Sequence, residues 1–81
     1  MTVKIPGYST ITGAPQTILD LMAKARIFED LQGEDYIAKI CEDIKRGYDI
    51  SLRVSGETIE ERAESLLLEL ARSGFIKIEE E

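Results

Sequence analysis

Carboxylates dominate the chemical inventory of this chain. Glu57, Glu60, Glu61 and Glu64 crowd the stretch GETIEERAES, and Glu42-Asp43 form a second pair. On a helix such spacing sets carboxylates within one turn of each other, as an all-carboxylate acid–base or cation site requires. A solvated helix face has the same look, and for each of these residues that reading outweighs the catalytic one. No stretch shows the alternating Asp/Asn ligands closed by glutamate that mark a calcium loop. The chain has no histidine and a single cysteine. Within one copy, that rules out Ser-His-Asp and Cys-His nucleophilic constellations and metal sites built on imidazole or several thiolates. It also rules out an internal disulfide framework.

The remaining reactive groups are sparse. Cys41 falls between Ile40 and Ile44 on an apolar stripe and reads as a structural thiol rather than a redox or nucleophilic one. The glycines form neither G-x-G-x-x-G nor a Walker-type loop. ITGAPQT places a glycine before a helix start, where anions can bind, but Pro15 lacks one of the amide donors such a site uses. Tyr8, Tyr36 and Tyr48 are not interleaved with basic residues as a single-strand stacking surface requires. Tyr48 is expected to cap the core at the end of the second helix. This inventory predicts no enzyme, no cofactor and no metal.

The chain that must position these groups has 81 residues and a formal net charge of −6, from ten basic and sixteen acidic side chains. That length suits one small domain spanning residues 1–81. The cations Lys4, Lys24, Arg26, Lys39, Lys45, Arg46, Arg53, Arg62, Arg72 and Lys77 are spread along the sequence, and only Lys45 and Arg46 are adjacent. An acidic chain without a basic cluster is repelled by a phosphate backbone, so nucleic acid is not the expected partner. No apolar run approaches the roughly 20 residues that span a bilayer. The segment MTVKIPGYSTITG lacks the basic and apolar blocks of a signal peptide, so a cytoplasmic location is expected.

Glycine punctuates the elements. TVKIPGYSTIT reads as a short strand at residues 2–5, a Pro6-Gly7 turn of type II, and a second extended arm whose pairing is open. A first helix starts at Pro15, with Ile18, Leu21, Met22, Ala25 and Phe28 as its stripe, widened by Leu19, Ile27 and Leu31, and stops at Gly33. A second helix carries Ile37, Ile40, Cys41 and Ile44 inward and ends at Gly47. Ile50, Leu52 and Val54 alternate with polar residues, which predicts a strand. Thr58 and Glu61 have capping-box spacing for a third helix with Ile59, Ala63, Leu66, Leu67 and Leu70 inward, closed by Gly74. FIKIEEE supplies a last strand whose end frays. The predicted fold is α+β: three helices on one face of a sheet of three to four short strands, in the order β(β)-α-α-β-α-β. The unit from Ile50 to Ile78 has room for a right-handed parallel crossover.

Two stretches resemble DNA-binding families. TVKIP followed by two helices resembles a ribbon–helix–helix repressor, which implies that Thr2 and Lys4 enter the major groove. Gly7–Ala14 are an insertion relative to that pattern, and Glu34-Asp35 would point acid at phosphate. ETIEERAESLLLELARSGFIKIEE is similar to the last helix and wing of winged-helix regulators, which implies that Thr58, Glu61 and Arg62 lie near the reading face. A small DNA-binding regulator of either type is therefore the alternative reading. It requires Lys4, Lys45, Arg46 and Arg53 on one face.

The run Leu66-Leu67-Leu68 carries the more informative signal. At 100° per residue Leu68 points about 150° away from the stripe that Leu66, Leu67 and Leu70 share. Glu61, Glu64 and Arg72 surround it, with Ala71 alongside. A leucine inside a polar rim suits an interface anchor, and burying it contributes about 1.5–3 kcal/mol. These five residues form the expected interface, and a homodimer uses one patch twice. The expected function is a non-enzymatic interaction or regulatory module binding a protein. That build is shared by inhibitors and by accessory proteins of viruses and mobile elements.

Overall fold

Pro6 and Gly7 make the first turn. The Tyr8 amide donates to the Ile5 carbonyl at 2.9 Å, with Gly7 at φ +83°, as the second central position of a type II turn demands. The computed structural model describes residues 1–8, 10–25 and 33–79. Strand β1 (Thr2–Lys4) pairs antiparallel with β2 (Thr10–Thr12) and, on its other edge, with β3 (Lys77–Glu79). The sheet order is β2-β1-β3, so β1 is central.

Register follows from the period of two. Val3 stands opposite Ile11 and Ile78, and this apolar row faces inward with Val3 wholly buried. On the outer face Lys4 stands between Thr10 and Lys77, and Thr2 between Thr12 and Glu79. Helices α1 (Pro15–Lys24) and α3 (Ile59–Arg72) pack on each other and against the sheet, and α2 (Gly33–Tyr48) packs on both. The fold is α+β in the order β-β-α-α-α-β.

Several expectations change. Ile50, Leu52 and Val54 do pack against the core, but their segment is not a strand, and among the described residues the sheet has only antiparallel pairings and no parallel crossover. Its amides bond to α3 side chains instead: Arg53 N–H to Glu69 Oε1 at 2.8 Å and Ser55 N–H to Ser65 Oγ at 3.0 Å. On α1 the buried face is Ile18, Leu19, Met22 and Ala23, whereas Leu21 is 44% exposed and Ala25 caps the helix end. Ile27, Phe28 and Leu31, like Glu80 and Glu81, lie outside the described residues. Gly33 opens α2 rather than closing α1, at φ +58°. Helix α2 runs through Gly47 and turns out at Asp49, φ +56°, whose amide bonds to the Lys45 carbonyl. Tyr36, one turn before Ile40 on the same ridge, is wholly buried.

Helix α3 matches its expected limits. Thr58 Oγ1 accepts from the Glu61 amide at 3.2 Å, which caps the start. At the end the Phe75 amide reaches the Leu70 carbonyl and the Gly74 amide that of Ala71, a Schellman motif that requires Gly74 at φ +88°. Its inward face is Ala63, Leu66, Leu67 and Leu70, none of them accessible.

Candidate interaction site

Leu68 remains 48% exposed while the leucines on either side of it in the core are sealed. It borders an open groove of about 390 Å³. One wall is the extended segment at Arg53, Ser55 and Gly56; the other is α3 at Glu61, Glu64, Ser65, Leu68 and Glu69. The walls stand at fixed separation because the segment's backbone is tied to Glu69 and Ser65, whose hydroxyl also donates to the Arg53 carbonyl.

The carboxylates of α3 fall into two groups. Glu60 accepts from the Gln16 amide at 3.1 Å, supplying the anion that the α1 N-terminus lacks because Ala14 offers no side-chain cap. That terminus, considered above as an anion site, is therefore occupied by the chain's own side chain. Glu69 accepts two N–H groups from Arg72 and one from the Arg53 backbone, which holds its carboxyl at about 2, far below the usual carboxylate range. Glu61 and Glu64, by contrast, are exposed, and their side chains make no ion pair or hydrogen bond among the described residues. Both line the groove that Leu68 borders, Glu64 one turn and Glu61 two turns before it.

Of the five expected interface residues, the groove brings together Glu61, Glu64 and Leu68. Arg72 joins through Glu69, its side chain 67% exposed. Ala71 packs against the core from the flank of the helix and does not line the groove. Arg53, Ser55 and Gly56 were missed as site residues. Their part follows from the segment lying on α3, which alternation alone does not reveal.

The rest of the surface is largely self-neutralised. Lys39 pairs with Glu42 and Asp43, Lys45 with Asp49, Arg46 with Glu42, and Arg62 of α3 with Glu34 of α2. Lys4 lies on β1, Lys45 and Arg46 on α2 and Arg53 in the segment before α3, and Lys45 and Arg46 are already held in these pairs. Cys41 is half-buried against the core, and burial pushes its thiol above the ordinary value although Arg62 partly opposes this. A protonated thiol is a weak nucleophile. A smaller cleft of about 160 Å³ lies between Ile40, Ile44, Tyr48 and Phe75. Tyr48 does not cap the core: it is 65% exposed, its ring 5.0 Å from Phe75 in an edge-to-face contact.

Among the described residues no cluster of histidine, cysteine and carboxylate ligands could hold a metal ion. No described helix is long and apolar enough to cross a membrane. No protein-family model, curated protein or solved structure matches the chain.

Proposed function

We propose that this protein is a non-enzymatic interaction module that binds another protein through the outer face of α3, in a regulatory or inhibitory role. One observation carries the reading. A large apolar side chain stands half-exposed on the same groove as two carboxylates that have no partner among the described residues, on a helix whose other acids are engaged internally. An apolar anchor with a polar rim suits protein recognition, and the acidic rim favours a partner that presents basic or amide groups. The reactive inventory points the same way, with no histidine and a lone thiol held protonated.

The test is affinity capture from native extract with immobilised wild type, Leu68→Glu and, as a surface control, Tyr8→Glu. Tyr8 is 58% exposed in the first turn and is not among the residues that line the groove. Proteins retained by wild type and Tyr8→Glu but lost with Leu68→Glu are the expected result. Identical retention on all three, or a mobility shift of random duplex DNA at low salt, would contradict it.

A further inference from the structure

Glu64, Leu68 and Arg72 follow one another at intervals of four and so form a single ridge along α3, negative at one end, apolar in the middle and positive at the other. We propose that the occupant of this face is α3 of a second copy of the chain, laid antiparallel about Leu68; this rests on the protein-binding reading above. A two-fold axis at Leu68 reverses the ridge, setting Leu68 against its counterpart and each Glu64 beside the other copy's Arg72. A parallel arrangement would oppose Glu64 to Glu64, so the charge order selects the antiparallel one. Ridges spaced by four interdigitate at about −50°, the commonest crossing in globular proteins, and that angle brings the two ridges alongside each other.

Both members of the intermolecular pair are available. Glu64 is exposed and makes no ion pair or hydrogen bond among the described residues. Arg72 donates through Nε at 2.8 Å and Nη2 at 3.0 Å to Glu69. A guanidinium has five N–H donors, so three remain for a second carboxylate. Glu69 thus fixes Arg72 in place for the contact instead of consuming it. Three residues to either side of Leu68 stand Ser65 and Ala71, which the same axis sets opposite one another. Ser65 is bonded to the Arg53–Ser55 segment and Ala71 packs on the core, so the contact rests on Glu64, Leu68 and Arg72.

The experiment is sedimentation of the full chain at high micromolar concentration, with circular dichroism confirming that each variant is folded. Wild type is expected at twice the chain mass, and Glu64→Arg and Arg72→Glu each at the monomer mass. Mixed one to one, the two single variants should recover the dimer, because in the mixed pair both contacts join opposite charges. The double variant should recover it as well. Leu68→Glu, which leaves every internal ion pair intact, is a second route to the monomer. A monomeric wild type overturns the inference, as does a dimer that withstands the single variants or a mixture that fails to re-form. A monomeric wild type that still loses captured proteins on Leu68→Glu leaves the protein-binding reading standing. A dimer and a capture pattern both unaffected by Leu68→Glu remove the two together.

Discussion

Gly56 sits at φ +128°, and a Cβ built there would lie 2.6 Å from the Cβ of Glu61 and 3.0 Å from the Arg62 amide nitrogen. The chain therefore passes the first turn of α3 at a distance only glycine allows, and this close pass forms one end of the groove. Gly56→Ala is expected to destabilise by about 1–3 kcal/mol, measured by urea denaturation. Gly47 is the contrasting case: it lies inside α2 with open space around its missing side chain. Gly47→Ala should stabilise by about 0.5–1 kcal/mol in the same assay. At this scale the sequence was informative where periodicity applied and silent where partners are remote. Leu68 stood out from the helical angle alone. Arg72, three residues on, engages Glu69 by a local pairing, but the Gln16–Glu60 and Arg53–Glu69 bonds span 44 and 16 residues, and no local pattern encodes those.

Between residues 50 and 56 alternation correctly assigned the inward side chains but not the structure of the segment. Period two states which side chains face in; it does not say what the backbone amides bond to, and here they bond to Glu69 and Ser65. The limits of α3 were legible because cap, stripe and closing glycine all agree. Those of α1 and α2 were less so, since Gly33 and Gly47 do not act as stops. The Glu69 tether makes an acid-pH prediction. Its folded-state value of about 2 lies below the ordinary 4.5. Its contribution is therefore fully present above about 4.5 and is lost as pH falls towards 2. Urea midpoints of wild type and Glu69→Gln should differ by a constant amount at neutral pH and converge through that window. A gap that persists at the acid end would show that the Glu69 charge, held by Arg72 and the Arg53 amide, is not what stabilises this contact.

For the whole molecule, the pairing of β1 with both β2 and β3 fills each edge of the central strand, so it offers no ladder to a second chain. Sheet extension at β1 is closed, so only the outer edges of β2 and β3 could add a strand. The net charge of −6 has a structural distribution as well. Ion pairs on α2, between α2 and α3, and at Glu69 absorb most of the described cations, and Glu61 and Glu64 are among the acids left over. The α+β class and the apolar interior were readable from the sequence; the all-antiparallel sheet was not, because it depends on β3 returning to β1 across nearly the full chain.

The most direct test of α3 as a protein interface is hydroxyl-radical labelling of the wild-type chain in buffer and in native extract, read residue by residue after recovery and digestion. Tyr8 and Tyr48, both exposed, serve as internal references for radical dose. Labelling of Leu68 relative to those tyrosines should fall several-fold in extract from its value in buffer at a dilution where the chain is monomeric, because a partner covers it. An unchanged ratio would show that Leu68 stays open to water and would contradict the proposed interface.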